Sequence, residues 1–306
     1  MRGLILLVGL ATLLGLLDRV SWVFEFADVF RLQYVAVLVG AALVALALRR
    51  PGLAGVAAVL ALVNVVVLGI SLNPTAAAAA GSHAEGSLRL VVANVEVGNT
   101  AFAAVAHLVT ATHPDVFGVT ELTPSMAHHL AHELPQYHSR ILEPRGDAYG
   151  IGVFSRVPLR SARVVSFPAE GGPPTVVARV GVADRPVTLV LTHVHTPFAG
   201  SIHIRHLRAL AEARPSFGQR VVVCGDFNTP PWSGPLRDFS SDARLRDLYG
   251  RHAWSGYSWP TWSSLLRVPL DNCFVSGGVV VTAHRDGPDI GSDHRPLIVD
   301  VGVTKQ

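Results

Sequence analysis

Apolar residues dominate the first 72 positions almost without interruption, and from Leu88 onward they break up into short runs separated by polar punctuation. In the first part, Gly3 to Leu17, Leu32 to Leu48 and Gly52 to Leu72 contain no Asp, Glu, Lys or Arg. A spanning helix needs about 20 mostly apolar residues, and a charge at its centre costs roughly 2.5 to 3.5 kcal/mol on insertion, so long charge-free windows are informative. The pattern predicts three transmembrane helices, about 3–24, 32–48 and 52–72. The first must run on through Asp18 and Arg19 toward Trp22, and the second includes Gln33 and Tyr34, which suit an interface. A signal peptide is the competing reading, because Arg2 precedes an apolar run and Ala76 to Ala80 offers a second cleavage context. Against it, Asp18, Arg19 and Val20 follow the first run where small residues would be needed. Asn64, inside the third window, is either a contact to a neighbouring helix or a tolerated lone amide.

Residues 73–87, rich in Ala, Gly, Pro and Ser, read as a linker, and 88–306 is long enough for one domain with a sizeable core. Within it, β-rich runs alternate with amphipathic stretches. Strands are predicted at Leu88–Ala93, Val116–Val119, Gly150–Phe154, Thr175–Val182, Val187–Thr192, Arg220–Cys224, Leu270–Val275, Val279–Ala283 and Leu297–Val301. Helices are predicted at Ala101–Ala111, at Ser125–Leu134 after Thr123 as cap and Pro124 as first helical residue, and at Ser201–Ala213. This is an α/β pattern, and the short connection Ala183 to Pro186 points to mixed or antiparallel sheets rather than a purely parallel one.

Charge adds an orientation. Arg2, Arg49 and Arg50 fall on one side of the proposed spans, the side that should be cytoplasmic, which places the first loop and everything after Leu72 outside the cytoplasm. Residues 88–306 carry 20 Lys and Arg against 18 Asp and Glu, too nearly neutral to suggest a nucleic-acid surface. Cys224 and Cys273 lie inside apolar runs and are expected to be two buried thiols. A disulfide is chemically permitted outside the cytoplasm, but spacing alone does not make their strands neighbours.

Candidate chemistry gathers where apolar strands end. Asn94 and Glu96 follow the first strand, Glu121 the second, His193 the run ending at Thr192, and Asp226 and Asn228 the run ending at Gly225. Asp271 opens a strand, and Asp293 and His294 precede the last one. A lone Asn or Asp at a strand end is usually a turn former, so these residues persuade only as a set. Their hard oxygen donors suit Mg²⁺ or Mn²⁺, whereas zinc would call for more His and Cys. His195 is evenly balanced between a site residue and a loop residue, Tyr149 and Arg156 flank a strand near the set, and His128, His129 and His132 are expected to face solvent on a helix.

Asn94-Val95-Glu96, Glu121, Thr192-His193, Gly225-Asp226-Phe227-Asn228, Leu270-Asp271 with Phe274-Val275-Ser276, and Ser292-Asp293-His294 occur in an order that resembles the endonuclease/exonuclease/phosphatase superfamily, over Leu88 to Val301. The layout also resembles membrane-anchored members of that superfamily, some associated with glycopeptide resistance. The resemblance implies a deoxyribonuclease-I-like α/β (α+β) fold: a two-sheet β-sandwich flanked by helices, here preceded by three transmembrane helices. It also implies phosphoester hydrolysis by in-line attack of water, with no covalent intermediate. Glu121 would be the principal metal ligand, with Asn94 and Asp293 near the metal and Glu96 a weaker candidate. Asp226 would orient or deprotonate the water and Asn228 would position it. His294, paired with Asp271, would contact the phosphate, and His193 would support the transition state from the other side. Asn272 and Cys273 depart from the usual pattern, as does the lack of an evident glutamate partner for His193.

The expectation is therefore a multi-pass membrane hydrolase whose partners are the bilayer and a phosphoester substrate, possibly lipid-linked. An extracellular or periplasmic endonuclease or exonuclease is the alternative, and an inactive membrane-anchored binding module a third. Nucleic acid is not the favoured substrate, and no protein partner can be inferred.

Overall fold

A computed structural model of the chain describes residues 1–71, 84–248 and 257–304. It opens with α1 (Arg2–Leu14), which tightens into a 3₁₀ turn at Gly15–Leu17, followed by a short helix α2 (Trp22–Glu25), α3 (Arg31–Ala47) and α4 (Pro51–Ser71). These helices are apolar outward and small or polar inward: Leu6 (73% exposed), Leu43 and Val59 point away, while Ala41, Ala45, Ala57 and Ala61 are buried between the helices. Small residues let backbones approach closely where no hydrophobic effect drives association, as in lipid. Asn64 ties the bundle together: its Oδ1 accepts from Arg31 Nη1 at 3.0 Å, and its Nδ2 donates to Thr12 Oγ1 at 2.8 Å. Arg31 in turn donates to Asp28.

Three full-length spans were expected; among the described residues only α4 is long and apolar enough by itself to cross a membrane. The first helix stops well short of residue 24 because Asp18 and Arg19 leave its axis to bind the catalytic domain: Asp18 Oδ2 accepts from Gly234 N, and Arg19 Nε donates to Asp238 Oδ2 at 2.8 Å. The predicted linker is also shortened, because its last residues pair in a strand, Ala84 opposite Thr304; 72–83 lie outside the described residues.

The catalytic domain stacks two six-stranded sheets. The first is built from β1 (Ala84–Asn94), β2 (Val116–Thr120), β3 (Ser139–Glu143), β4 (Ile151–Ser155), β11 (Val279–Asp286) and β12 (Leu297–Thr304) in the order β11-β12-β1-β2-β4-β3. The second contains β5 (Arg160–Ser166), β6 (Pro174–Val182), β7 (Arg185–His193), β8 (Val221–Asp226), β9 (Arg246–Asp247) and β10 (Asp271–Val275) in the order β5-β6-β7-β8-β10-β9. The two sheets share one plan: β1 and β2 are parallel at the middle of the first, β7 and β8 at the middle of the second, and every other pairing is antiparallel.

Strands in the middle are buried on both faces. Leu90 and Val92 of β1 enter the core between the sheets, while Val91 and Ala93 pack under α5 (Phe102–Thr112) and α6 (Pro124–Glu133). In β8, Val222 and Cys224 face the same inter-sheet core, and Val221 and Val223 pack under α7 (Ser201–Ala213) and α8 (Gly234–Asp242). Double burial is why such strands read as continuous apolar runs instead of alternating ones.

Cys224 and Cys273 form a disulfide, which corrects the expectation of two free thiols. They stand opposite each other on β8 and β10. The pairs on either side, Ser276 with Val221 and Phe227 with Leu270, carry the ladder hydrogen bonds, so the register puts the cysteines at a non-hydrogen-bonded pair. Such pairs approach most closely, and their Cα atoms are 4.1 Å apart.

Candidate active site

The parallel pair in each sheet brings two strand ends to the same edge of the sandwich. In the first sheet Asn94 is level with Thr120, one residue before Glu121; in the second His193 is level with Asp226. The antiparallel partner β10 places its first residue, Asp271, opposite Asp226, two positions beyond the cystine on the same strand face. The turn leaving β8 needs a glycine: Gly225 has φ 148°, and a Cβ there would lie 1.8 Å from the Thr192 carbonyl oxygen. Glu96, Glu121 and Asn228 all sit in the left-handed region at φ 58°, 58° and 54°. Such backbone costs on the order of 1 kcal/mol per residue, and here it turns each side chain inward just after its strand stops.

All nine residues singled out from the sequence meet in one network. Asn94 Nδ2 donates to Glu121 Oε1 at 2.9 Å and to Asp226 Oδ2 at 3.0 Å, bridging the sheets. Asn94 Oδ1 accepts from Glu96 N at 3.0 Å, and Glu96 Oε2 accepts from Asp293 N at 2.9 Å. His193 Nδ1 bonds the Ala148 carbonyl at 2.9 Å, and its Nε2 lies 3.1 Å from Asn228 Nδ2 and 3.6 Å from Asp226 Oδ2. On the opposite side His294 Nε2 is 3.7 Å from that same Asp226 oxygen, while its Nδ1 is 2.7 Å from Asp271 Oδ2.

Burial opposes a charged His294, but the carboxylates of Asp271 and Asp226 outweigh it and raise its pKa to about 10, so the ring is an imidazolium at neutral pH. Burial also pushes Asp271 upward, against the pull of His294. The two directions compete for one proton, which belongs on the ring, because Asp271 also receives the backbone-aligned hydroxyl of Ser258 and both carboxylates face the imidazole.

Two supporting groups, Trp259 and Ser258, were not anticipated. Trp259 Nε1 donates to Asp293 Oδ2 at 2.9 Å, and Ser258 Oγ accepts from the amides of Leu270 and Asp271. Ser292 Oγ donates to the Asn94 carbonyl at 2.8 Å and accepts from His294 N at 3.1 Å, locking the last loop to β1. Tyr149 Oη is 2.6 Å from His195 Nδ1, and its ring packs on His193 with centroids 5.6 Å apart. Arg156 instead pairs with Asp115 at 2.9 Å. Of the α6 histidines, His128 and His132 are exposed, but His129 is half-buried against Phe102.

The least expected contributor is Glu25 of α2. It is fully buried inside the catalytic domain, 2.9 Å from His203 Nε2, and accepts from Thr229 Oγ1 at 2.9 Å, one residue after Asn228. Trp232 Nε1 donates to the Asp28 carbonyl at 2.9 Å. The segment between α1 and α3 is therefore part of the scaffold beneath the loop that carries Asn228.

A divalent cation fits this donor set. Asp226, Asp271 and His294 bring ligand atoms within 4.8 Å of one another. The protonated imidazole bound to Asp271 is not itself available as a ligand, which leaves Glu121 and Asp226 as carboxylates converging on the Asn94 amide. Glu96 and Asp293 add two more carboxylates around a single imidazolium, and hard oxygen donors with excess negative charge call for a hard cation.

The match to known families now has a geometry behind it. Residues 91–294 match the model of the Endonuclease/Exonuclease/phosphatase family. The chain belongs to that family. Enzymes of that family depend on divalent metal ions. Among curated proteins it is similar to the inositol phosphosphingolipids phospholipase C of Saccharomyces cerevisiae, 26% identical over 135 residues, which is 37% of this chain and 28% of the yeast protein. The chain thus matches less than a third of that relative's length. Among solved structures it resembles D. rerio TDP2 complexed with single strand DNA product (18% identity, TM-score 0.61, 71% of this chain and 99% of that one). A family protein from Bacteroides thetaiotaomicron is equally similar in fold (16%, TM-score 0.61, 73% and 100%). At these identities the likeness establishes the fold, two mixed sheets flanked by helices.

Proposed function

We propose that the chain is a membrane-anchored, Mg²⁺-dependent phosphoester hydrolase with its site outside the cytoplasm, acting on a lipid-linked or envelope phosphate. The observation that carries this reading is the joining of the nine-residue site to the juxtamembrane segment through Glu25 and Asp28. The outward-facing apolar surface of α1, α3 and α4 supports an anchor of three helices, and only 22% of the most apolar window of α4 is buried, unlike the core helix of a soluble protein. The near-neutral catalytic domain favours a lipid phosphate over nucleic acid.

In this reading Glu121, Asn94 and Asp293, with Glu96 less directly, hold the cation. When bound, it supplies charge neutralisation for the phosphate and a lowered pKa for water. Asp226, between the two imidazoles, orients the attacking water and takes its proton; Asn228 positions that water through its amide. His294 presents Nε2–H to the phosphate and is kept protonated by Asp271, while His193, fixed by Ala148, approaches from the other side.

Purified full chain with Mg²⁺ should release phosphate or headgroup from polyprenyl pyrophosphate or sphingomyelin, and this should be abolished by EDTA and by Asp226→Ala. Cleavage of plasmid DNA alone would instead establish the nuclease reading, for which the D. rerio protein's DNA product complex is the precedent. If no phosphoester is cut with any divalent metal, the assignment of substrate and site both fail. A reporter fused after Gln306 should be active only outside the cytoplasm.

A further inference from the structure

Among the described residues of the catalytic domain, the large apolar side chains left exposed are Val97, Phe198, Ile202, Trp262, Leu265 and Leu266. Scattered exposed apolar residues are ordinary. These are not scattered. Val97 follows Glu96, and its amide donates to Glu121 Oε2 at 2.9 Å. Phe198 and Ile202 lie just beyond His195, whose ring nitrogen meets Tyr149. Trp262, Leu265 and Leu266 follow Thr261, whose amide donates to the Asp293 carbonyl and whose hydroxyl donates to the Ser292 carbonyl.

The same two loops touch the anchor. The Phe198 ring stacks on Phe26 with centroids 4.1 Å apart and is nevertheless 78% exposed. The side-chain amide of Gln33, in the first turn of α3, donates to the Leu265 carbonyl at 3.1 Å and the Arg267 carbonyl at 3.4 Å. Arg267 braces the loop from within through the carbonyls of Pro260 and Thr261, leaving Trp262 at 73% and Leu265 at 85% exposure. The exposed apolar residues of α3 begin at Val37, about one turn after Gln33, so in the anchored arrangement these side chains lie beside the foot of the anchor.

We infer that the loops 197–202 and 261–267 dip into the bilayer beside the anchor, so that the mouth of the active site opens onto the headgroup layer and takes its phosphoester from there. This rests on the anchored, lipid-directed reading above and adds the surface that delivers the substrate. The occupant is a lipid surface because the exposed apolar patch is continuous with helices that already present apolar side chains outward, and Trp with Leu is the composition that partitions to such an interface.

Two measurements test it with the full chain in nanodiscs of phosphatidylethanolamine and phosphatidylglycerol. The native cysteines are bonded to each other, so Leu265→Cys offers one reactive thiol for an NBD fluorophore. Its emission should be blue-shifted and quenched by doxyl-labelled lipid; water-like emission untouched by doxyl lipid overturns the inference, as does burial that appears only on raising protein concentration, the mark of a second copy. In the second, the double variant Trp262→Ser, Leu265→Glu should hydrolyse the water-soluble bis(p-nitrophenyl) phosphate within about twofold of the parent while losing about tenfold or more on a phosphodiester lipid in the nanodisc. Equal loss on both substrates, or no loss on either, overturns it. If the parent cuts neither substrate, the proposed function fails, and the fluorescence still decides where the loops lie.

Discussion

One oxygen, Asp226 Oδ2, lies within 3.7 Å of a nitrogen on each of two histidines and accepts from Asn94 across the sheets. Removing the charge beside one of those rings isolates its role. Asp271→Asn leaves volume and register intact but withdraws the main charge that holds His294 protonated, so kcat should fall about 10²-fold or more with a smaller change in KM, read in steady-state kinetics. A second titration is structural. Burial, reinforced by the neighbouring His195, His203 and His193, lowers the pKa of His206 to about 3. Its folded value lies below the unfolded one near 6.5, so the unfolded chain takes the proton first. Stability is complete above about pH 6.5 and is lost as pH falls toward 3, by up to roughly 3–5 kcal/mol. His206→Leu should flatten that acid limb in urea titrations at pH 7 and pH 4; an unchanged slope would sink this account. The nine candidate residues stood out because each closes or opens an apolar strand and their order resembles that of the superfamily, and the structure brings them together. Trp259, Ser258 and Glu25 did not, because nothing local in the sequence marks a contact such as Thr229 to Glu25, made across 204 positions.

At the scale of elements, legibility followed burial. Strands covered on both faces, such as β2 and β8, were visible as apolar runs, and α7 was found at its observed limits, Ser201–Ala213. The edge strands β3 and β5 were missed: β3 is only half-buried and β5 largely exposed, so neither leaves an apolar run. The two-residue β9 is too short for a pattern, and α8 begins Gly-Pro and carries few apolar positions. Helix α2 was absorbed into a predicted span because its buried Glu25 faces a protein interior that sequence periodicity does not reveal. Its clamp makes a prediction of its own. Glu25→Ala removes the partner of His203 and Thr229 beneath the Asn228 loop and should cost about 3 kcal/mol, the usual scale for breaking a buried pair. In thermal melts of the solubilised chain it should lower Tm, and kcat should drop in parallel although residue 25 is remote in sequence from every site motif.

For the whole molecule, the cystine is the staple of the second sheet. It closes a loop with a sequence separation of 49 between adjacent strands that end at Asp226 and begin at Asp271. Cys224→Ala with Cys273→Ala should destabilise by about 2–4 kcal/mol, seen as a lower denaturant midpoint with a somewhat larger m, because the unfolded chain is freed of its cross-link. Reductant should reproduce the shift in the parent and leave the double variant unmoved. The first three long helices were legible only as composition: charge-free windows marked them, but their ends depend on Asp18, Arg19 and Asp28 binding a domain far down the chain.

The interleaving of the first sheet sets when the enzyme can first act. Its middle strands β1 and β2 come early in the chain, yet β1 is flanked by β12, the last strand, and Asp293 and His294 arrive only just before it. A ribosome-bound chain can have its first helices and the second sheet's strands made while still lacking the imidazolium and the strand that seats β1. The site is thus completed only once synthesis has passed His294 and β12 has closed the sheet, so an incomplete chain lacks both the imidazolium and the strand that positions Asn94.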